Sequence, residues 1–296
     1  MQRDAKPFVK WAGGKGQLLN TLNQMFPKQL KNGNIETYIE PFIGGGAVLF
    51  HILQKYNVKK AIINDINKEL INCYRCIKEN YIEIVNRLKI LEREYLQADK
   101  RGDYYYKVRD RFNSVKLNSN IDYEKCADFI FLNRTCYNGL YRVNKNGYFN
   151  VPHGRYKNPI ICDENNLRLC SVLLQRVEIH CGDFSEVLQE CSSSTFVYFD
   201  PPYRPLLATS SFVDYYKNGF DDRDQIKLSK VFKELNDKGC ILMLSNSDPK
   251  NVNEKDNFFD DLYKGFDIKR VSAKRMINCQ SDKRGSITEI VVRNYL

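Results

Sequence analysis

Apolar residues along the chain form short continuous runs and longer runs with helical spacing. The short runs predict strands at residues 36–42, 59–65, 176–184, 195–200, 239–247 and 286–295. Helical spacing predicts helices at residues 47–56 and 224–238, and two more at 68–98 and 122–136. Strands that alternate with helices are typical of a mostly parallel sheet covered on both faces. The pattern therefore predicts an α/β fold.

The middle of the chain departs from this alternation. Residues 75–171 contain most of the last two helical patterns, and "LYRVNKNGYFNV" at residues 140–151 predicts two short strands around an Asn-Gly turn. Asn-Gly between such runs is the strongest short signal for a β-hairpin. We therefore predict a main domain formed by residues 1–74 and 172–296. Residues 75–171 form a helical insert that carries the hairpin.

Charge is concentrated in the insert. The chain has a net charge of +10, from 46 basic and 36 acidic residues, and residues 75–171 hold 18 Lys and Arg against 12 Asp and Glu. Residues 133–158 contain no acid, but they carry five basic side chains and five aromatic ones: Arg134, Arg142, Lys145, Arg155, Lys157, Tyr137, Tyr141, Tyr148, Phe149 and Tyr156. Basic residues interleaved with aromatic ones fit a surface that meets phosphates and stacks on bases.

Composition excludes several classes of protein. The chain has 43% hydrophobic and 28% charged residues, and no apolar run in it approaches the ~18 residues of a membrane span. The ten cysteines show no repeating framework, so we expect free thiols in a reducing, cytoplasmic compartment. Cys73 and Cys76 form the one C-x-x-C, and a structural zinc site needs four ligands. We therefore expect neither a membrane nor a metal partner.

A glycine-rich turn lies between the first predicted strand and its helix, in "EPFIGGGAVLF" at residues 40–50. Glycines at such a junction let a ligand approach the backbone, and the helix N-terminus favours anionic groups. Asp65 ends the next predicted strand, 21 residues after Gly44. In dinucleotide-type folds an acid about 20 residues on accepts the ribose hydroxyls. The sequence therefore indicates a site for a nucleoside-containing ligand.

"GGKG" at residues 13–16 lacks both the P-loop spacing and a preceding strand, which argues against ATPase chemistry.

The stretch "FVYFDPPYRP", residues 196–205, ends a predicted strand in a carboxylate and two prolines. Proline cannot donate to a sheet ladder, so the strand must stop at Asp200. An ionised Asp only accepts hydrogen bonds, and with a backbone carbonyl held outward by the prolines it can accept both hydrogens of an exocyclic base amine. That draws the nitrogen toward tetrahedral geometry and frees its lone pair. Tyr203 offers a flat face for a base taken out of the duplex.

These stretches, with "FVKWAGGKGQLL", "NGLYRVN", "FNVPHGRYKNP" and "LSNS", resemble the Dam family of DNA adenine-N6 methyltransferases, including the methylases of DpnII-type restriction systems. The likeness covers residues 6–295, and the motif order is that of the family's alpha group. It implies a Rossmann-like S-adenosylmethionine-dependent methyltransferase sheet with a reversed last strand, and a helical target-recognition insert. S-adenosylmethionine is then the cofactor, double-stranded DNA the partner, and a separate restriction endonuclease a possible companion.

The resemblance also implies roles for single residues. The catalytic motif matches Asp200, Pro201 and Tyr203. Positions that bind the cofactor match Trp11, Lys15, Glu40, Phe42, Gly44, Asp65, Asp183, Phe184 and Asp200. Positions that touch or wedge into DNA match Lys10, Tyr137, Asn138, Leu140, Arg142, Pro152 and Tyr156. Loops at residues 97–123 and 247–262 depart from the family pattern, so phosphate contacts there stay unassigned.

The resemblance favours methylation of adenine N6 within GATC, with Arg142 contacting a guanine. Two alternatives stay open at this point. A cytosine-N4 methyltransferase would use the same chemistry, although its motif usually has Ser at the Asp200 position. A catalytically silent DNA-binding protein of the same fold would not need the intact Asp-Pro-Pro-Tyr.

Overall fold

The computed structural model describes residues 4–117, 121–189, 191–206, 220–274 and 286–296. Its helices and strands follow in chain order: α1 (Leu19–Met25), α2 (Lys28–Lys31), β1 (Thr37–Glu40), α3 (Ala47–Lys55), β2 (Lys60–Asn64), α4 (Lys68–Gln97), α5 (Arg101–Ser114), α6 (Tyr123–Thr135), α7 (Glu164–Leu174), β3 (Val177–His180), β4 (Thr195–Phe199), α8 (Asp222–Asp237), β5 (Ile241–Ser247), α9 (Phe258–Leu262), β6 (Asp267–Lys274) and β7 (Ser286–Arg293).

The chain divides into two compact units. The first consists of Met1–Gly14, Ile43–Lys55 and Ile63–Asp183, and the second of Lys15–Phe42, Tyr56–Ile62 and Phe184–Leu296. The predicted insert, residues 75–171, lies entirely within the first unit. Its role as a separate recognition domain stays a prediction.

Helix α4 organises the first unit. It packs against α5, α6 and α7, and its apolar face is buried at Ile77, Ile84 and Leu88. Helix α6 is fastened to it at its start, where the Asn72 side chain donates to the backbone carbonyl of Asp122 at 2.8 Å and accepts from its N–H at 2.8 Å. The Asp122 side chain also caps α6. This cap satisfies backbone groups that a helix N-terminus leaves unpaired.

The second unit has its core around strand β4, all of whose residues are buried. Phe199 of β4 packs with Phe232 of α8, their ring centroids 6.0 Å apart. Leu244 of β5 and Ile290 of β7 belong to the same buried cluster. Burying side chains of this size stabilises the fold by about 1.5–3 kcal/mol each.

Seven strands form one sheet in the order β3-β2-β1-β4-β5-β7-β6. Strand β4 runs parallel to β1 and to β5, with Phe196 opposite Tyr38 and Ile241. Strand β7 runs antiparallel to both β5 and β6. The mixed sheet with helices confirms the expected α/β fold and its reversed last strand.

The sequence pattern missed strand β6 and helices α1, α2, α5, α7 and α9. Strand β6 is absent from the prediction because "DIKRVSAK" is mostly polar and charged, which is typical of an edge strand with one neighbour. Helix α5 lies within residues 97–123, which we expected to be a loop. Only three of its residues are buried, Tyr105, Val108 and Phe112, so its apolar stripe is narrow. In the second expected loop, residues 247–262, the structure has the short helix α9.

The predicted hairpin is a turn closed by one bridge, and not a pair of regular strands. Val143 and Phe149 form a single antiparallel bridge, and the turn closes with the Gly147 N–H donating to the Asn144 carbonyl at 2.9 Å. The ladder is short because the Asn113 side chain takes both backbone groups of Phe149, at 2.8 and 3.0 Å. The turn was predicted correctly, and the length of the strands was wrong.

Three broader findings apply to the described part of the chain. Its nine cysteines are free thiols. Its helices include none with the length and apolar character that crossing a membrane needs. Its His, Cys, Asp and Glu side chains form no group suited to hold a metal ion.

Candidate active site

Asp200 stands where strand β4 ends. The strand contributes five buried residues, and Pro201 then stops the ladder because it has no N–H to donate. The Lys15 ammonium lies 2.7 Å from Oδ1 of Asp200, and the Lys15 side chain is only 4% exposed. Burial raises the pKa of Asp200, Lys15 opposes that rise, and Glu289 adds to it. Lys15 therefore favours the ionised, acceptor-only form of this carboxyl.

Three side chains fasten the loop that follows Asp200. Gln225 of α8 donates to the Pro202 carbonyl at 3.1 Å. The Arg204 N–H donates to the Asn246 side chain at 3.1 Å, and the Ser247 hydroxyl donates to the Arg204 carbonyl at 2.8 Å. The Asp-Pro-Pro-Tyr segment is thus held by hydrogen bonds on both sides of Tyr203.

The ring of Tyr203 lies beside the same ammonium. Nζ of Lys15 is 4.6 Å from the ring centroid, and the Tyr203 hydroxyl donates to Glu289 at 2.5 Å. Burial, followed by the carboxylates of Asp200 and Glu289, raises the pKa of Tyr203 well above its usual value. The hydroxyl therefore stays protonated and acts as a donor. We call Lys15, Asp200, Tyr203 and Glu289 the Asp200 cluster.

Three other predicted cofactor residues also belong to the second unit. Glu40 is buried and accepts from the Tyr38 hydroxyl at 2.8 Å. The rings of Phe42 and Phe184 lie 5.1 Å apart, and Phe220 packs against both. This arrangement gives the second unit a buried carboxylate and an aromatic cluster.

The glycine loop, residues 43–46, belongs to the first unit. The Gly44 N–H donates to Asp65 at 3.0 Å, and the other carboxylate oxygen of Asp65 accepts from the Asn67 N–H at 3.0 Å. The Tyr74 hydroxyl donates to the Gly44 carbonyl at 3.0 Å. Burial raises the pKa of Asp65, and backbone donors at Asn67, Gly44 and Ile66 oppose the rise. Asp65 is therefore a structural partner of the loop.

Trp11 explains why residue 44 is glycine. Gly44 has φ of +47°, and a Cβ there would lie 2.8 Å from Cδ1 of Trp11. The indole also stacks on Tyr141, with ring centroids 5.6 Å apart, and on Phe129 at 6.5 Å. Trp11 thus joins the glycine loop to the aromatic packing of the first unit.

Asp183, another predicted cofactor residue, is the last residue of the first unit. It directly follows Gly182, whose carbonyl accepts a hydrogen bond from the Asn64 side chain at 3.1 Å.

The predicted DNA-binding residues also lie in the first unit, where Asn133 links two of their segments. Its side chain accepts from the Lys10 N–H at 2.7 Å and donates to the carbonyls of Lys10 and Gly139, each at 2.9 Å. The Lys10 ammonium lies over the Tyr156 ring, 4.8 Å from its centroid. Lys10, Tyr156 and the segment around Gly139 are therefore neighbours.

Residues 137–156, the recognition segment, expose several of the predicted contacts. Tyr137 is 55% exposed, Asn138 and Pro152 are exposed, and Leu140 is half-buried. Asn138 has φ of +56°, in the left-handed region. The Tyr137 N–H donates to the Pro152 carbonyl at 2.8 Å, which brings the two ends of the segment together. Nε of Arg142 donates to the Asn150 side chain at 2.6 Å, which directs the guanidinium.

Comparison with known proteins decides the family. A model described as D12 class N6 adenine-specific DNA methyltransferase matches residues 11–277. This chain belongs to that family. The methyltransferase is 55% identical to the type II methyltransferase M.MjaIII of Methanocaldococcus jannaschii, over 99% of this chain and 100% of that protein. It is 40% identical to the type II methyltransferase M1.LlaDCHI of Lactococcus lactis subsp. cremoris, with coverage of 98% and 95%. It is 33% identical to the DNA adenine methylase of Haemophilus influenzae, with coverage of 97% and 92%.

The family fixes the reaction. The methyltransferase transfers a methyl group from a donor to N6 of adenine in DNA, which selects adenine over the cytosine-N4 alternative and an active enzyme over a silent binding protein. One solved structure, precorrin 8W decarboxylase of Methanobacterium thermoautotrophicum, covers 99% of this chain and 100% of its own, with 10% identity and a TM-score of 0.38. That likeness is too weak to support an inference.

Sequence reasoning missed the partners that hold the methyltransferase's motif in place. Glu289, Gln225 and Asn246 contact the loop formed by Asp-Pro-Pro-Tyr and Arg204, and they lie 23 to 86 residues from their partners along the chain. No local pattern marks them, since each is one polar residue in an ordinary helix or strand. The ends of β5 and β7 were the one available signal, because polar residues at strand ends collect at one edge of a sheet.

Proposed function

We propose that the methyltransferase takes its methyl group from S-adenosylmethionine and binds it with the glycine loop and Asp65. The residues fit such a ligand: no side chain projects from Gly44, and the Asp65 carboxylate, with about four acceptor sites and three backbone donors, keeps one site for a ribose hydroxyl. The sulfonium supplies a methyl group with a neutral thioether as leaving group. The proposed binding set is Trp11, Lys15, Glu40, Phe42, Gly44, Asp65, Asp183, Phe184 and Asp200.

We propose further that Asp200 activates the adenine amine. Its carboxylate and one backbone carbonyl accept the two N6 hydrogens, and since the Pro202 carbonyl already accepts from Gln225, we assign the Pro201 carbonyl to this role. The nitrogen lone pair would then form the new N–C bond as the S–C bond of the donor breaks, and one N6 proton would pass to the Asp200 carboxylate and on to water, which leaves neutral N6-methyladenine. Tyr203 supplies the face on which the extrahelical base stacks.

The observation that carries this assignment is the position of the Lys15 ammonium. A buried cation already sits 2.7 Å from Asp200 and over the ring of Tyr203. The two groups therefore converge on one small volume that can hold a nitrogen with hydrogens to donate. This arrangement supports the proposal that an adenine amine binds beside Asp200 and Tyr203.

The recognition segment is our proposed DNA contact, together with Lys10. Its exposed residues Tyr137, Asn138 and Pro152 and its basic side chains suit a surface that enters a groove and neutralises phosphates. We propose GATC as the recognised sequence, with Arg142 donating to O6 and N7 of a guanine. The support is the likeness of "NGLYRVN" and "FNVPHGRY" to Dam-type enzymes. We also propose a cytoplasmic enzyme, paired with a separate restriction endonuclease that cuts the unmethylated site.

Plasmid protection tests the proposed sequence. Unmethylated plasmid is incubated with enzyme and S-adenosylmethionine, freed of protein, and digested with one nuclease blocked by N6-methyladenine in GATC and one that requires it. We expect the first digestion to fail and the second to succeed. Plasmid treated with the Asp200→Ala variant is the control and should give the reverse pattern. Unprotected GATC sites in DNA that carries N6-methyladenine elsewhere would refute the sequence and leave the chemistry intact.

A further inference from the structure

Glu289 contacts the proposed base-stacking ring and lies outside the proposed sets of catalytic, donor-binding and DNA-binding residues. It lies near the start of β7, opposite Ser247 at the end of β5. Because β7 runs antiparallel to β5, its first residues lie at the edge where the parallel strands end. The reversed strand thus delivers a carboxylate to the edge at which Asp200 also stands.

One hydrogen bond, to Glu289, holds the hydroxyl end of the Tyr203 ring. A tyrosine side chain rotates about two bonds, and the backbone contacts of Arg204 with Asn246 and Ser247 fix only the main chain beside it. The hydroxyl bond to Glu289, at 2.5 Å, holds the far end of the ring. A base can stack productively only if that plane is fixed relative to the Asp200 carboxylate.

We propose that Glu289 is a positioning residue for methyl transfer, which fixes the plane of Tyr203 by accepting the hydrogen bond of its hydroxyl. The proposal rests on the role of Asp200 and Tyr203 given above, and it adds a residue that acts through Tyr203 without touching the base. Glu289 also lies close enough to Asp200 to raise the pKa of that carboxyl. The Lys15 ammonium acts in the opposite direction and lowers the pKa of Asp200.

Four variants separate positioning from a structural role: Glu289→Gln, Glu289→Leu, Tyr203→Phe, and the double variant Tyr203→Phe with Glu289→Leu. The measurement is the single-turnover rate constant with saturating donor and a DNA duplex containing the site, together with the Kd for S-adenosylmethionine. Tyr203→Phe removes only the hydroxyl, so it probes the same bond if the leucine variant folds poorly. Tyr104→Phe is the matched control, because it removes a tyrosine–glutamate bond of 2.7 Å in the other unit.

We expect Glu289→Leu and Tyr203→Phe each to slow methyl transfer about tenfold, as loss of one hydrogen bond to a charged group allows. Glu289→Gln keeps an acceptor oxygen and should retain most of the rate, with its acidic pH limb moved to lower pH because one carboxylate near Asp200 is gone. The double variant should be no slower than either single variant. Donor Kd and the Tyr104→Phe rate should stay at the wild-type values.

Two results would overturn the proposal. One is wild-type rates in both Glu289→Leu and Tyr203→Phe, and the other is a double variant whose loss is the product of the two single losses. Asp200→Ala, measured alongside, keeps the two levels apart. If Asp200→Ala is inactive while Glu289→Leu is unaffected, only the role of Glu289 fails. If Asp200→Ala is active, the proposed function fails.

Discussion

Replacing Gly44 by alanine tests whether the contact with Trp11 shapes the glycine loop. A Cβ at residue 44 would lie 2.8 Å from Cδ1 and 3.0 Å from Nε1 of Trp11, at φ of +47°. The left-handed backbone alone costs a residue with a Cβ about 1–2 kcal/mol, and forcing extra volume into a packed site costs about 1–3 kcal/mol more. We therefore expect Gly44→Ala to lower the free energy of unfolding by about 2–5 kcal/mol.

Gly33 provides the matched control for the same backbone strain. Its φ is +74°, and a Cβ there meets nothing within 4 Å, so Gly33→Ala should lose only about 1–2 kcal/mol. Urea denaturation of both variants gives the difference, and calorimetry with S-adenosylmethionine gives the Kd of each. We expect weaker donor binding in Gly44→Ala alone. Equal losses of stability in the two variants, together with unchanged Kd values, would refute the claim that the contact with Trp11 shapes the glycine loop.

Three further predictions concern single side chains. Asp65→Ala should weaken S-adenosylmethionine binding about tenfold or more, since a bond to a charged group is worth ~1.5–3 kcal/mol; calorimetry showing an unchanged Kd would remove Asp65 from the site. In Lys15→Met the pKa of Asp200 should rise, because Lys15 is the group that opposes the effect of burial. As the pH is lowered, the variant should then lose activity at a higher pH than the wild type, because activity needs the ionised carboxyl. Single-turnover rates measured across pH would contradict a role for the ion pair of Lys15 and Asp200 if they showed no such shift. Arg142→Gln should cost about 1–3 kcal/mol and relax discrimination at one guanine, whereas Lys157→Gln should weaken binding to all sequences alike and flatten its salt dependence. Identical specificity profiles would contradict the Arg142 assignment.

Several elements followed from sequence because burial leaves a periodic pattern, although helix α7, buried at Leu167, Cys170 and Leu174, was not predicted. Strand β4 is buried at every position and the α4 face is apolar at helical spacing, so both were predictable. Strand β6 and helix α5 bury little, and their sequences are correspondingly polar. The hairpin turn was marked by Asn-Gly, but its strand length depends on Asn113, which lies 36 residues from Phe149. Such distant competition for backbone groups leaves no local trace.

In the candidate site, too, sequence identified the residues that have a local signature and missed those that do not. Asp200 and Gly44 were found because proline and glycine restrict or free the backbone locally, and that constraint is visible in sequence. Lys15 was placed near the cofactor by resemblance, and its ion pair with Asp200 emerged only from the structure. Glu289 has no local signature, because its position depends on the direction of the last strand. Sequence thus identifies the groups that react, and structure identifies those that hold them.

The Asp200→Ala variant gives the most direct test of the central claim, that Asp200 activates adenine N6. Wild-type and variant protein are incubated with methyl-labelled S-adenosylmethionine and duplex DNA, and the DNA is then digested to nucleosides and separated by chromatography. We expect label in N6-methyladenine with the wild type, and a fall in kcat of about 10²-fold or more in the variant, as for loss of a group that stabilises the transition state. Thermal unfolding and donor Kd should show a folded variant that still binds the donor. Turnover at the wild-type rate in Asp200→Ala, or label in cytosine, would contradict the account.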